Sequence, residues 1–161
     1  MIDDMKKTIS VFVEGEPKPH PRPKAFLRRN SRVGVYDPGT AKEWKNAIRH
    51  RLSEYTLAAI DGPLRVTLEF LLPRPKSHYG TGRNSKQLKE SAPRNHTQRP
   101  DVDNLAKAVL DALSLGCGMG LWRDDTQVVE LVARKAWADM TPPGMFIMIE
   151  PIDEAGKEGE A

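Results

Sequence analysis

The sequence has almost no cysteine and no long apolar run, and these two absences narrow the kind of protein it encodes. Among its 161 residues there is one cysteine, Cys117. One thiol cannot form an internal disulfide or a zinc site built from several cysteines, which excludes disulfide scaffolds and zinc ribbons. No window reaches the roughly 18 apolar residues of a membrane span, and the acidic N-terminus is unlike a secretory signal. We expect a cytoplasmic protein with no membrane partner.

The composition nevertheless allows a single folded domain. Aromatic residues make up only 6%, but hydrophobic residues make up 39%, which suffices for a core in a chain of this length. We expect one domain over residues 1–150 and an acidic, flexible tail over residues 151–161. Trp44, Trp122 and Trp137 are expected to be packing residues.

The charge is low overall but unevenly distributed. The net charge is +3, yet the basic arm (residues 17–36) and the basic loop (residues 73–100) are strongly positive and hold Glu90 as their one acid. Two basic segments on an otherwise acidic chain predict a polyanion partner. They also predict that acidic side chains with a chemical role lie between the two segments. The basic side chains of these segments are Lys18, Arg22, Lys24, Arg28, Arg29, Arg32, Arg74, Lys76, Arg83, Lys86, Lys89, Arg94 and Arg99.

Hydrophobic periodicity predicts a mixed α/β (α+β) fold with about four strands and two main helices in one domain. Alternate prolines at the start of the basic arm favour an extended, polyproline-like segment, and the basic loop has the composition of a long loop. The last two predicted strands are expected to form a hairpin. The predicted strands cover residues 8–14, 64–72, 126–138 and 145–150, and the predicted helices cover residues 39–59 and 101–113.

Two carboxylates occur at the start of the second predicted helix. Pro100 cannot lie inside a helix, so Asp101 and Asp103 fall at its entrance, and Lys107 and Asp111 follow on the same flank. One interpretation makes these residues an N-cap, a first-turn acid and surface ion pairs. The other makes them part of a functional site.

A second acidic pair, Asp124 and Asp125, lies in a turn just before a predicted strand. Alone, such a pair is typical of a solvated turn. If both pairs meet at one end of the sheet, as we expect, their repulsion calls for a cation. Oxygen ligands favour Mg²⁺, with Mn²⁺ as a substitute, over zinc. The histidines, His20, His50, His78 and His96, have no zinc-ligand spacing, although His96 could line a substrate groove.

These motifs together resemble a known family. The run Arg99-Pro-Asp-Val-Asp-Asn-Leu-Ala-Lys-Ala-Val-Leu-Asp-Ala-Leu113, a glycine-containing link and Trp122-x-Asp-Asp-x-Gln-Val128 resemble the signature of RusA-type Holliday junction resolvases, which bacteria and phages encode. The resemblance is strong over about 30 residues and covers most of the chain less distinctively. It implies a homodimeric, Mg²⁺-dependent endonuclease that makes paired symmetric nicks in four-way DNA during recombination and repair.

The resemblance also assigns roles to individual residues. It places metal-binding aspartates at Asp101, Asp103 and Asp125, a catalytic lysine at Lys107, and a less central acid at Asp124. All of the basic residues of the arm and loop except Arg74 would then hold DNA phosphates. Compact members of the family lack the long basic loop and the alternating prolines that this sequence has. Because arms and loops commonly set substrate choice, we expect this difference to affect which DNA structures the protein selects.

Other functions remain open from the sequence. A Mg²⁺-dependent nuclease for flaps or other branched DNA would use the same residues. A non-catalytic nucleic-acid-binding module explains the basic segments but not the acidic cluster. A nucleotide phosphotransferase is disfavoured because the glycines near Cys117 lack a following Lys-Ser/Thr.

Overall fold

The computed structural model describes residues 8–55, 58–115 and 119–152. Cys117 and most of the predicted tail lie outside these ranges. Within them, no helix is long and apolar enough to cross a membrane. The strands are β1 (Ile9–Glu14), β2 (Lys24–Leu27), β3 (Val33–Tyr36), β4 (Leu64–Leu72), β5 (Val128–Trp137) and β6 (Gly144–Pro151), and the helices are α1 (Lys42–Ser53) and α2 (Val102–Leu113).

Four strands form a mixed sheet in the order β1-β6-β4-β5. β6 pairs antiparallel with both β1 and β4, whereas β4 and β5 are parallel. The chain runs from β4 through the basic loop and α2 to β5, which is a crossover connection between parallel strands. The expectation of a mixed four-stranded sheet with two helices is confirmed.

The core lies between one face of the sheet and the two helices. On β4, alternate residues from Leu64 to Leu72 are buried because successive side chains of a strand point to opposite faces. Trp44, Ile48 and Leu52 recur every four residues on α1 and supply its buried face. α2 buries a broader stripe of apolar residues, consisting of Leu105, Ala106, Ala108, Val109, Ala112 and Leu113.

One expectation from the sequence was wrong, and one feature was missed. The last two strands do not form a hairpin, because β4 lies between β5 and β6 and pairs with both. Beyond its proline-rich start, the basic arm contains the strands β2 and β3, which were not predicted and which pair antiparallel as a separate two-stranded sheet. The run of alternate prolines ends at Pro23, and the residues after it regain the backbone N–H groups that a strand pair needs.

The basic loop is folded against the end of β5. His78 and His96 are buried, and their rings contact Trp137 with centroid distances of 5.0 and 4.2 Å. The guanidinium of Arg74 lies 5.0 Å from the Trp137 ring centroid and pairs with Asp139. These contacts bury the apolar ring of Trp137 under a segment that has few apolar residues of its own, and they hold the loop in one place.

We expect Leu68→Ala to lower the free energy of unfolding by about 2–5 kcal/mol, because Leu68 is fully buried on β4 and its removal leaves a cavity. Urea denaturation at fixed protein concentration measures the change. Met140→Ala is the matched control, since Met140 is 96% exposed and its loss should cost less than about 0.5 kcal/mol. Equal effects of the two substitutions would contradict this description of the core.

Candidate active site

Two exposed carboxylates lie at the start of α2. Asp101 occupies the N-cap position with an extended backbone, but its side chain makes no capping hydrogen bond. Asp103 lies in the first turn, and Lys107 follows one turn later; all three side chains are exposed. Asp101 thus stands at the N-cap position, as one interpretation predicted, but it does not cap the helix with its side chain, and its oxygens remain available to a ligand.

A groove with a volume of about 530 Å³ opens beside Asp101. One wall is the proline-rich start of the basic arm, and the other is the segment that leads into α2. The charged residues that line the groove are the cations Lys18, Arg22, Lys24 and Arg99 and the carboxylates Glu16 and Asp101. Lys18 pairs with Glu16 at 2.9 Å, and the other three cations leave the lining positive around Asp101. This is the arrangement expected where an anionic backbone must approach an acidic centre.

The basic arm is attached to the flank of α2. The His20 ring nitrogen Nδ1 lies 2.7 Å from the Asp111 carboxylate, and Lys45 of α1 lies 3.7 Å from the same carboxylate oxygen. The backbone N–H of His20 also donates to the carbonyl of Asn104 at 2.8 Å. Asp111 therefore binds the arm to the helix that carries Asp101 and Asp103.

The second acidic pair has a structured environment of its own. Asp124 caps a short 3-10 helix by accepting a hydrogen bond from the Thr126 backbone, and bonds from Thr126 hold the pKa of Asp124 below its usual range. Asp125 accepts a hydrogen bond of 2.9 Å from the indole N–H of the fully buried Trp122. Both carboxylates are thus oriented by the turn.

Gln127 fixes this turn, although the sequence analysis gave it no role. Its side-chain oxygen accepts from the backbone N–H of Arg123 at 2.8 Å, and its amide nitrogen donates to the carbonyls of Ile60 and Gly62 at 3.0 Å each. One side chain thereby connects the turn to the chain that enters β4. The Trp-x-Asp-Asp-x-Gln spacing is required because Trp122 and Gln127 both hold the turn that carries Asp125.

The two acidic pairs do not meet within one chain, contrary to the expectation from the sequence. Asp101 lies at the N-terminus of α2, while the turn with Asp125 pairs with its C-terminus through Leu113 and Leu115. A helix of 12 residues is about 18 Å long. Among the described residues, no three His, Cys, Asp or Glu side chains are grouped to hold a metal ion.

The donors at the start of α2 nevertheless fit a hard divalent cation. Mg²⁺ in proteins typically uses one or two carboxylates and takes its remaining ligands from water and substrate phosphate. Asp101 and Asp103 offer exposed carboxylate oxygens at one helix end, next to a groove suited to phosphates. A second carboxylate source, Asp125, is out of their reach in the same chain.

The other predicted residues are distributed over the two basic segments. Arg28, Arg29 and Arg32 lie exposed on and around the β2-β3 hairpin, and Lys76, Arg83, Lys86, Lys89 and Arg94 lie exposed on the basic loop. His96 is buried against Trp137 and is not part of the lining of the groove beside Asp101. It lines a smaller cavity together with Arg99 and Trp137. Burial, and then the positive charge of Lys135, lower the pKa of His96.

The chain is similar to known proteins over most of its length. The model of the family described as Endodeoxyribonuclease RusA matches residues 14–150. The chain is 33% identical over 148 residues to "Uncharacterized protein YqaN" of Bacillus subtilis (strain 168), an alignment that covers 89% of this chain and 96% of that relative. The matched region begins at the last residue of β1 and contains β2 to β5, nearly all of β6, both helices and both acidic pairs. The chain therefore belongs to the RusA endodeoxyribonuclease family.

Proposed function

We propose that this protein is a Mg²⁺-dependent endonuclease that resolves Holliday junctions by paired symmetric nicks. The observation that carries the proposal is the position of Asp101 in a groove whose lining has more cations than carboxylates, with Asp103 nearby in the first turn of α2. Membership of a family of endodeoxyribonucleases supports phosphodiester hydrolysis as the reaction. An acidic centre beside a basic groove is what hydrolysis of a DNA backbone requires, because the substrate is an anion and the carboxylates need a cation.

Each residue of the site has a definable task. Arg22, Lys24 and Arg99 neutralise backbone phosphates in the groove, and Asp101 and Asp103 would hold the ion. When bound, Mg²⁺ supplies Lewis acidity and charge neutralisation at the phosphate, and Mn²⁺ can do the same. Lys107 lies one turn beyond Asp103 with an exposed ammonium group, which would stabilise negative charge that develops on the phosphate.

The separation of the two acidic pairs supports a homodimer. β5 is an edge strand of the sheet, and its apolar side chains Val129, Leu131 and Val132 are 63%, 43% and 45% exposed. An exposed apolar edge is a template for pairing with another strand. A second copy is the occupant we propose, since a four-way junction has near two-fold symmetry and paired nicks require two sites.

The register of such a dimer follows from charge. Suppose that β5 pairs antiparallel with β5 of the second copy and that the two-fold axis passes through Val132. Glu130 of each copy then lies opposite Arg134 of the other, which gives two pairs of opposite charge. Within one chain these two side chains are exposed and bind Arg65 at 2.6 Å and Glu69 at 2.9 Å. The pairing brings the start of β5, with Asp125, next to the end of β5 in the other copy, where α2 begins.

A homodimer of this kind would assemble each active site from two chains. Asp101, Asp103 and Lys107 would come from one copy, and Asp125 from the other. The groove would then continue across the two-fold axis and hold branched DNA on both sides. A nuclease for flaps would use the same residues, and a panel of junction, flap and duplex substrates separates the two activities.

We expect Asp101→Asn to reduce cleavage of a synthetic four-way junction in Mg²⁺ by roughly 10²-fold or more, because an amide is a weaker ligand for a hard cation. Binding of the junction in Ca²⁺ should remain within about twofold of the unsubstituted protein. Glu69→Gln, which removes a carboxylate from the open face of the sheet, is the matched control and should cleave normally. Junction binding without cleavage by the unsubstituted protein in Mg²⁺ or Mn²⁺ would contradict the nuclease proposal and leave a binding module.

We expect the double substitution Arg22→Gln and Lys24→Gln to weaken junction binding and flatten its salt dependence. Each phosphate contact that is lost should reduce the slope of log affinity against log salt by about 0.9. Fluorescence anisotropy in Ca²⁺ over a range of salt concentrations measures both quantities. Arg65→Gln is the control, because Arg65 lies on the open face of the sheet and away from the groove. An unchanged slope in the double variant would show that the groove does not contact DNA.

A further inference from the structure

Lys135 makes two hydrogen bonds to the backbone just before Asp101. It lies near the end of β5, and its ammonium nitrogen donates to the carbonyl of Gln98 at 2.6 Å and to that of Pro100 at 2.8 Å. Bonds from a charged donor are roughly twice as strong as neutral ones, and two of them on one ammonium fix both partners relative to each other.

The two carbonyls flank Arg99 and lead directly into Asp101. Gln98 and Pro100 are on either side of Arg99, and the carbonyl of Pro100 belongs to the peptide bond that joins Pro100 to Asp101. On its other side, the carbonyl of Asp101 accepts the backbone N–H of Leu105 at 3.1 Å, the bond that begins α2. The backbone of Asp101 is therefore held from both directions.

Lys135 is itself anchored in the rigid part of the molecule. In the parallel pairing of β4 and β5 it lies opposite Phe70, which is fully buried in the centre of the core. Its side chain is half-buried and projects from the same face of the sheet that α2 covers. The segment it holds is the end of the basic loop, most of whose residues are exposed. A rigid strand thus sets the position of a segment that has few apolar contacts of its own.

We propose that Lys135 is a positioning residue that binds the segment Gln98–Pro100 to β5 and thereby holds Arg99 and the carboxylate of Asp101 at the groove. The inference rests on the proposed function for its catalytic consequence, but the positioning itself is a property of the chain alone. Loss of the ammonium would leave two carbonyls without their donor and release the start of α2.

Hydrogen exchange of the Leu105 amide tests the positioning without any DNA or metal. In Lys135→Met, which keeps the length of the side chain but removes its donors, this amide should exchange at least about threefold faster, because local opening becomes easier. Lys135→Arg should restore part of the protection, since a guanidinium can also donate to the two carbonyls. Lys42→Met, which removes an exposed cation from α1, should leave it unchanged. The amide of Ile147 in β6 serves as an internal reference for global unfolding.

Cleavage kinetics then separate this inference from the proposed function. Lys135→Met should cut the junction about tenfold more slowly at saturating DNA and need more Mg²⁺, while its affinity for the junction in Ca²⁺ changes by less than about twofold. Unchanged exchange at Leu105 in Lys135→Met would overturn the inference, whether or not the protein cuts DNA. A failure of the unsubstituted protein to cut DNA, with faster exchange in Lys135→Met, would overturn the proposed function and retain the positioning role.

Discussion

The packing of α2 against the parallel strands β4 and β5 determines how the site is arranged. Because the helix must bury its apolar stripe along its full length, its two ends lie at opposite ends of the sheet. The first turn of α2 carries Asp101 and Asp103, and the turn after its C-terminus carries Asp125. The same contact that forms the core therefore keeps the acidic pairs apart, and in the dimer that we propose each chain would contribute two half-sites.

Each acidic pair is positioned by side chains to which we assign no chemical role. Trp122 and Gln127 orient the turn of Asp125. Lys135 connects the start of α2 to β5, and Asp111, in the last turn of α2, connects the helix to the basic arm. This division explains why the acids can remain exposed. The turn and the helix ends are fixed by bonds to other residues, so Asp101, Asp103 and Lys107 need no partners within the chain to keep their places.

The parts of the fold that follow from local pattern could be predicted from the sequence. The strand Leu64–Leu72 and the helix Val102–Leu113 were found within one residue of their observed bounds, because alternation, periodicity and proline boundaries are local signals. Strand pairing is not local, and the insertion of β4 between β5 and β6 has no signature in the two strands themselves. For the same reason, the sequence identified the four acids but not their separation along α2. Lys135 escaped notice because its partners are backbone carbonyls, which any residue can supply.

The most direct test of a site shared between two copies is a mixture of two inactive variants. Asp101→Asn and Asp125→Asn are each expected to fail to nick a four-way junction in Mg²⁺ as homodimers. If the site is shared, one of the two sites in a mixed dimer keeps every native carboxylate. When equal amounts of the two variants are mixed and allowed to exchange subunits, half of the dimers are mixed, and each of these has one intact site. Nicking of single strands should therefore return to about a quarter of the unsubstituted rate. Mixtures that remain as inactive as the separate variants, although subunits exchange, would show that each chain completes its own site and would contradict the account.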